Sequence, residues 1–183
     1  PKHDNNLTKV LDMGCWSPVQ FIGGDWQVSN ASAEGSAFDV EFKGDKLGRV
    51  TWGLFGQHNV NNGLMAIAAA RHAGVPADIA IEALGKFVNV KRRMEIKGVI
   101  NEITLYDDFA HHPTAIASTI NGLRAKVGNA RILAVLEPRS NTMKMGVHKN
   151  TLAASWSKAD QVFIYEPSNL QWSMEELLAQ SDV

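Results

Sequence analysis

Apolar and polar residues alternate along the first part of the chain, between glycine-rich breaks, as they do in short strands. Two segments each place three apolar side chains on one face, namely Phe38, Val40 and Phe42 in the first and Val50, Trp52 and Leu54 in the second. The residues KGDKLG between them favour a turn. The pattern therefore predicts a β-hairpin within a segment of strands and loops.

The apolar spacing changes to the helical period after Gly56. Gly74 and Pro76 end the first predicted helix, and a second helix follows. The apolar stripes are Val60, Leu64, Ile67 and Ala68 in the first helix, and Ile79, Ala80, Ala83, Leu84 and Phe87 in the second. We expect these two helices to be the closing elements of a domain whose beginning is not in this chain.

Strands and helices alternate regularly after a predicted connecting segment, VNVKRRMEIKG. The strands EITLYDDF, RILAVLEP and QVFIYEP are each followed by a helix, beginning near Pro113, Lys149 and Met174. This alternation predicts an α/β fold in which a parallel sheet carries helices on both faces. The sequence thus predicts two domains, residues 1–90 and 91–183, of which the second is incomplete at its end.

The composition is 45% hydrophobic and 20% charged, which is typical of soluble globular proteins. A net charge of −1 gives no general attraction to nucleic acid or to an anionic membrane. The single Cys15 excludes an internal disulfide and fits a reducing compartment. We therefore expect a soluble cytoplasmic protein whose partners are neither nucleic acid nor membrane.

Two asparagines, Asn59 and Asn62, lie three residues apart at the start of the first predicted helix. A carboxamide carries a donor and an acceptor side by side, which matches the N6 and N7 edge of adenine. Asparagine near a helix start is also a common cap. The spacing alone leaves both interpretations open.

Two charged clusters lie near the predicted domain boundary. Arg92 and Arg93 could hold phosphate oxygens, or they could form a solvated basic corner. In LYDDFAHHP, Asp107 and Asp108 end a predicted strand, at the edge where open α/β sheets bind ligands. The aspartates could accept hydrogen bonds from a ribose, chelate a metal together with the histidines, or cap a turn.

The loop EPRSNTMKMG follows the next strand and therefore lies at the same predicted edge. Its side chains are rich in hydrogen-bond donors and suit an anionic ligand, although such loops are often simply exposed. The chain contains no G-x-x-x-x-G-K-[ST] segment or other glycine-rich phosphate cradle. If the protein handles ATP, we expect its phosphate loop upstream of Pro1.

The segments HNVNN, KRR and DDFAHHP occur in an order and spacing that resemble the Mur ligases, the ATP-dependent amide ligases of peptidoglycan assembly. The resemblance runs from about Gly56 to the end. It implies a Rossmann-like C-terminal domain over residues 91–183, preceded by the tail of a central ATP-binding domain. It also implies that the carbamylated lysine, the magnesium-binding glutamate and the UDP-sugar domain lie outside this chain.

The resemblance implies ATP and Mg²⁺ as cofactors, with the ligands of Mg²⁺ outside this chain and no metal site within it. It places Asn59 and Asn62 against the adenine and Arg93 near the phosphates and the ribose. Asp108 is expected to hold the ribose. Arg93 and Asp108 are also the residues expected to contribute to catalysis, through positioning and charge stabilisation.

Five further residues have expected roles in this comparison. His58 and His111 occupy matched positions, where we expect them to support the nucleotide-binding residues. Arg139, Ser140 and Asn141 are placed to meet the incoming peptide substrate, on the ground of their position in the loop.

Within the family, EPRSNTMKMG resembles the peptide-recycling branch, which joins UDP-N-acetylmuramate to L-alanyl-γ-D-glutamyl-meso-diaminopimelate through an acyl phosphate. The resemblance implies a carbon–nitrogen ligase when whole and no activity for this chain alone. Three alternatives remain open: the related branch that adds L-alanine, a non-catalytic nucleotide-binding α/β module, and a metal-dependent hydrolase. The hydrolase would use four residues, Asp107, Asp108, His111 and His112.

Overall fold

A computed structural model describes residues 1–181 and 183. The chain divides into two compact units, Pro1–Val88 and Asn89–Val183, so the division falls close to the predicted boundary. Both units mix helices with strands, as the predicted α/β class requires. No helix in the described part of the chain is long and apolar enough to cross a membrane.

The first unit consists of a three-stranded antiparallel sheet, in the order β1-β2-β3, and three helices. Its elements are α1 (Asn5–Asp12), β1 (Trp26–Ser29), β2 (Ala37–Phe42), β3 (Asp45–Thr51), α2 (Gln57–His72) and α3 (Ala77–Gly85). The predicted hairpin is confirmed as β2 and β3, which turn at Lys43 and Gly44 with positive φ at both residues. The return strand ends at Thr51, so Trp52 and Leu54 lie beyond it and not on its face as predicted. The sequence did not predict α1, because none of its residues is buried and no core stripe marks it.

The core of the first unit lies where α2 packs on the sheet. Val60, Leu64 and Ile67 are buried on α2, as predicted. Gly63 lies on the same face and directly beneath the Trp52 indole, where an added Cβ would lie 2.6 Å from the ring. The indole itself donates a hydrogen bond from Nε1 to the carbonyl of Gly35 at 2.9 Å. Glycine at position 63 therefore sets how closely α2 approaches the residues that follow β3.

The predicted stripe of α3 is only partly correct. Ala80 is buried, but Ile79 and Phe87 are about half exposed, and the other buried residue is Ile81. The helix ends at Gly85, so Phe87 falls beyond it. An all-round apolar segment such as IAIEALG fits several stripes, and packing against β3 selects the face that carries Ile81.

A buried carboxylate crosslinks β2 and β3. The side chain of Asp39 is 3% exposed and accepts hydrogen bonds from Asn30 Nδ2 at 2.9 Å, Lys46 Nζ at 2.6 Å and Arg49 at 3.0 Å. These donors, Asn30 first, hold the pKa of Asp39 well below its usual value. The network compensates the charge that the sheet buries.

The second unit contains two small sheets and the remaining helices. Its elements are β4 (Glu95–Ile100), β5 (Ile103–Asp107), α4 (Pro113–Val127), β6 (Leu133–Leu136), α5 (Asn141–Lys144), α6 (Lys149–Leu152), β7 (Gln161–Ile164) and α7 (Met174–Leu178). The strands β4 and β5 pair antiparallel, whereas β6 and β7 pair parallel. A 3₁₀ turn over Ala153–Trp156 continues α6 in place of the longer helix that the sequence predicts.

The predicted arrangement of three parallel strands requires a correction. Among the described residues β5 pairs with β4, so only β6 and β7 form a parallel pair. The sequence did not predict β4, because Lys97 and Gly98 interrupt its apolar alternation and a bulge lies between Ile96 and Gly98. The connecting segment is therefore shorter than predicted and ends before Glu95.

Arg124 ties the end of α4 to the parallel pair. Its guanidinium donates to the carbonyls of Ala130 and Lys158 and pairs with Asp160 at 2.5 Å. Asp160 also accepts the backbone N–H of Ile132 at 2.7 Å. That N–H and then Arg124 lower the pKa of Asp160. These contacts fix where β6 and β7 begin.

Replacing Gly63 with alanine tests the contact between α2 and Trp52. We expect Gly63→Ala to destabilise the first unit by about 1–3 kcal/mol, because the indole has little room to move. Urea unfolding followed by tryptophan fluorescence measures the change. Gly53→Ala, where an added Cβ has nothing within 4 Å, serves as the control and should be nearly neutral. A gain of about 1 kcal/mol, the helix-propensity effect alone, would contradict this packing.

The turn between β4 and β5 offers a stabilising change. Asn101 and Glu102 have φ values of 49° and 66°, a conformation that glycine adopts without strain but glutamate does not. Glu102→Gly should therefore stabilise the second unit by about 1 kcal/mol, measured by thermal unfolding. Glu102→Ala removes the same side chain without relieving the positive φ, so it should give no gain. Equal gains in both variants would contradict the turn geometry.

Candidate functional site

The first two turns of α2 carry the two predicted adenine residues. Gly56 precedes the helix with φ 91° and ψ 141°, a conformation open to glycine, and its N–H donates to the Glu34 carbonyl at 2.6 Å. Asn59 is partly buried and donates from Nδ2 to the Phe55 carbonyl at 2.8 Å. Asn62 is exposed, one turn further along. Asn59 is thus fixed, while its Oδ1 and second N–H stay available.

His58 and Asn61 adjoin these asparagines. His58 is partly buried, and its Nδ1 is inaccessible to solvent. Asn61 accepts a hydrogen bond from Gln57 Nε2 at 3.2 Å. A supporting role for His58 remains a prediction. The side chain of Asn61, which lies between Asn59 and Asn62 in sequence, is already hydrogen-bonded to Gln57.

The second unit opens with an unusual turn over residues 92–94, which we call the Arg92–Met94 turn. Arg92 and Met94 have φ values of 58° and 48°, in the left-handed region that long side chains rarely adopt. Four bonds hold the turn: Arg92 N to Glu95 Oε2 at 2.9 Å, Phe109 N to Arg92 O at 2.9 Å, Asn89 Nδ2 to Arg93 O at 2.6 Å, and Met94 N to Asp108 Oδ2 at 2.8 Å. Three of these bonds come from side chains.

The two arginines of the turn differ in their surroundings. Arg92 lies over the Phe109 ring, 4.8 Å from its centroid, with Nε 3.8 Å from Asp107 Oδ2. Arg93 is exposed, and its guanidinium makes no hydrogen bond or ion pair with any residue that the structure describes. Arg92 therefore has a structural role, and Arg93 is the arginine available to a ligand.

Asp108 links the Arg92–Met94 turn to the residues that precede α4. Oδ2 accepts from Met94 N and Oδ1 accepts from Ala110 N, both at 2.8 Å, and the Thr119 hydroxyl approaches Oδ1 at 3.5 Å. A carboxylate offers about four acceptor positions, so these contacts leave Oδ2 able to accept another donor. Asp108 is thus both a structural acceptor and a candidate ligand-binding group.

Glu95 is the second carboxylate on the turn. The Arg92 N–H and then Lys97, whose Nζ lies 3.1 Å from Oε1, lower the pKa of Glu95. The charged form therefore holds the turn above the ordinary pKa of glutamate. This contribution is lost as the pH falls through the lowered pKa.

The two histidines of the DDFAHHP segment serve the loop and the helix. His111 Nδ1 lies 2.8 Å from the Phe109 carbonyl. His112 Nδ1 accepts the Thr114 N–H at 3.2 Å and so caps α4. Within residues 1–181 and 183, no three His, Cys, Asp or Glu side chains come together in a group that could hold a metal ion.

The loop after β6 presents two uncommitted side chains. Ser140 caps α5 through its hydroxyl, which accepts the Met143 N–H at 3.3 Å. Arg139 and Asn141 flank it and are exposed, without side-chain partners among the described residues. Trp172 lies behind α5 and donates from Nε1 to the Met143 carbonyl at 2.7 Å. The loop is therefore supported from behind, with Arg139 and Asn141 facing outward.

The sequence did not indicate that Asn89 and Glu95 belong with Arg93. The only signal was their proximity in the chain, on either side of the arginine pair. The positive φ values that make their bonds necessary cannot be inferred from KRRME, because arginine and methionine favour other conformations.

Residues 92–182 match the family described as Mur ligase, glutamate ligase domain. The chain is 53% identical over 181 residues to the UDP-N-acetylmuramate–L-alanyl-γ-D-glutamyl-meso-2,6-diaminoheptandioate ligase of Escherichia coli K12. That match covers 97% of this chain and 39% of the relative. The chain thus spans about two fifths of the length of this relative.

Two more comparisons bear on the fold and the branch. The crystal structure of a murein peptide ligase from Psychrobacter arcticus is 44% identical, with a TM-score of 0.69 over 98% of this chain and 39% of that one. A UDP-N-acetylmuramate–L-alanine ligase from Pediococcus pentosaceus is more distant, at 39% identity over 81% of this chain and 35% of the relative. The Escherichia coli ligase is therefore more similar to this chain than this L-alanine ligase is.

These matches confirm the resemblance that HNVNN, KRR and DDFAHHP indicated, and they agree with the mixed α/β architecture of both units. The chain belongs to the Mur ligase family, and its second unit carries the C-terminal domain of that family.

Proposed function

We propose that this chain forms part of an ATP-dependent ligase that joins UDP-N-acetylmuramate to the tripeptide L-alanyl-γ-D-glutamyl-meso-diaminopimelate. The observation that carries the proposal is the 53% identity to a ligase of that name along nearly the whole chain. The reaction would pass through an acyl phosphate of the muramate carboxylate, which the amino group of the peptide attacks. With the lone Cys15, these substrates favour a cytoplasmic protein.

Asn59 and Asn62 are the proposed adenine residues. Asn59 is held by the Phe55 carbonyl through one Nδ2 hydrogen, and it keeps Oδ1 and a second N–H, an acceptor and a donor of the kinds that an adenine edge pairs with. Asn62 lies three residues along the same helix and is exposed to a ligand. The cap interpretation does not account for these residues, because Gly56 occupies the N-cap position.

Asp108 and Arg93 are the proposed ribose and phosphate residues. Asp108 retains acceptor capacity on Oδ2 that a ribose hydroxyl could use. Arg93 presents an exposed guanidinium, which suits the planar pairs of oxygens on a phosphate. Both residues would act by orientation and by stabilising charge.

Bound ATP would supply the phosphoryl group that activates the muramate carboxylate. Taken separately, each unit offers one group suited to the adenosine end, the amide of Asn59 in the first unit and the carboxylate of Asp108 in the second. The chain has no glycine-rich phosphate cradle, and the described residues form no group for Mg²⁺. The proposal therefore requires phosphate and Mg²⁺ ligands from elsewhere in the ligase.

The loop of Arg139, Ser140 and Asn141 is the proposed contact for the peptide. The tripeptide carries carboxylates, and Arg139 offers a charged donor that no described residue engages. Asn141 offers a neutral donor and acceptor beside it. Ser140 caps α5 by accepting the Met143 N–H, and its hydroxyl hydrogen could still be donated to the peptide, as the sequence comparison implies.

The first prediction from the proposed function concerns activity and substrate. A chimeric ligase, in which this chain replaces the matching region of the Escherichia coli relative, should join the tripeptide to UDP-N-acetylmuramate and prefer it to L-alanine. The 183-residue chain alone should form no product, because it lacks a phosphate cradle. Product assays with both acceptors measure this. Tripeptide turnover by the chain alone, or a chimera that prefers L-alanine, would contradict the proposal.

The second prediction concerns Arg93 and Asp108 in the same chimeric ligase. Arg93→Ala or Asp108→Ala should lower kcat/KM for ATP more than tenfold, since one charged hydrogen bond contributes about 1.5–3 kcal/mol. Lys91→Ala, which removes a neighbouring charge, is the matched control and should stay within about twofold. Asp108→Ala also loses two backbone contacts, so thermal unfolding must accompany it. Near-normal kinetics in either variant would remove that residue from the nucleotide site.

A further inference from the structure

The backbone conformation of the Arg92–Met94 turn is energetically unfavourable for the residues that form it. Arg92 and Met94 both have positive φ, and neither is glycine, so each opposes this backbone shape. Such a conformation persists where surrounding bonds over-determine it. The identity of those bonds therefore shows what the turn depends on.

Two flanking side chains supply bonds to the turn. Glu95 accepts the Arg92 N–H through Oε2 at 2.9 Å, and Asn89 donates from Nδ2 to the Arg93 carbonyl at 2.6 Å. Lys97 holds the other oxygen of Glu95 at 3.1 Å. The Asn89 side chain is itself oriented, because its Oδ1 accepts the Val90 N–H at 2.9 Å. Both side chains are thus directed at the backbone on the two sides of Arg93.

Arg93 lies between these bonds and has no side-chain contact of its own among residues 1–181 and 183. The direction in which its side chain leaves the surface is consequently set by the backbone alone. Asp108 and Phe109 complete the restraint through Met94 N and Arg92 O. An arginine whose backbone is already fixed loses less conformational entropy on binding an anion than an arginine on a mobile loop.

We propose that Asn89 and Glu95 are positioning residues, which hold the Arg92–Met94 turn in its left-handed form and thereby direct Arg93 toward the nucleotide phosphates. The inference rests on the proposed role of Arg93. It adds two residues that touch neither substrate nor ATP. Their effect reaches the reaction through the backbone of the arginine.

Kinetics of the chimeric ligase test Glu95 through a pair of variants. Glu95→Ala removes the acceptor for Arg92 N–H and should raise KM for ATP at least tenfold, with a smaller change in kcat. Glu95→Gln keeps an oxygen that can accept the same N–H, so it should recover KM to within about threefold of the parent. Equal losses in both variants, or no change in Glu95→Ala, would overturn the proposal.

Asn89 is tested by an isosteric change with a matched control. Asn89→Asp keeps the acceptor for Val90 N–H but replaces the donor to the Arg93 carbonyl with a negative oxygen, so KM for ATP should rise at least fivefold. Lys97→Ala removes the ion-pair partner of Glu95 and leaves every bond to the turn in place, so KM should stay within about twofold. A larger effect in Lys97→Ala than in Asn89→Asp would contradict the assignment.

Amide hydrogen exchange in the 183-residue chain reports on the turn without any activity. The Arg92 amide should exchange at least tenfold faster in Glu95→Ala than in the parent, while amides in α4 keep their protection. Unchanged Arg92 exchange would overturn the proposal even if the kinetics changed. If Arg93→Ala leaves KM for ATP unaltered while the Arg92 amide responds as expected, the proposed role of Arg93 has failed and the restraint of the turn stands.

Discussion

The carboxylate of Asp108 is the contact on which the arrangement of the second unit's candidate residues depends. It bonds one way to Met94 N and the other way to Ala110 N, so a single side chain joins the Arg92–Met94 turn, the end of β5 and the approach to α4. Two left-handed residues in that turn require such compensation. Without these bonds of Asp108, the backbone from which the exposed Arg93 side chain projects would not be held in place.

The first unit solves a similar positioning problem with glycine. Gly56 adopts a backbone shape that starts α2 where Asn59 can reach the Phe55 carbonyl. Gly63, two turns on, allows the helix to lie directly against the Trp52 indole. Absence of a side chain at these two points therefore determines where Asn59 and Asn62 are presented. Asn59 and Asn62 therefore project from a helix that is closely packed against Trp52.

Elements with a clear apolar period were the predictable ones. The α2 stripe and the β2–β3 hairpin follow from such patterns, and the start of α4 was predicted from Pro113. Several features were missed or wrong for physical reasons, and three of them show the cause most clearly. The helix α1 buries nothing, α3 has apolar residues on every side, and β4 is interrupted by Lys97 and Gly98. Local pattern carries no signal where burial does not select a face.

The residues of the candidate site also fall into two groups, those that the sequence indicated and those that it did not. Residue order identified the family and selected Asn59, Asn62, Arg93 and Asp108 for roles that stay predictions. The bonds of Asn89 and Glu95 were not predictable, because they depend on backbone angles that KRRME does not favour. The bond by which the Ser140 hydroxyl caps α5 was likewise not predicted, and contact of Arg139, Ser140 and Asn141 with the peptide stays a prediction.

A crystal structure of the chimeric ligase with a non-hydrolysable ATP analogue tests the central claim most directly. The account predicts a ribose hydroxyl within hydrogen-bond distance of Asp108 Oδ2 and a phosphate oxygen on the Arg93 guanidinium, with Glu95 still bonded to Arg92 N. A nucleotide bound away from Asp108, or an Arg93 that points into solvent in that complex, would contradict it.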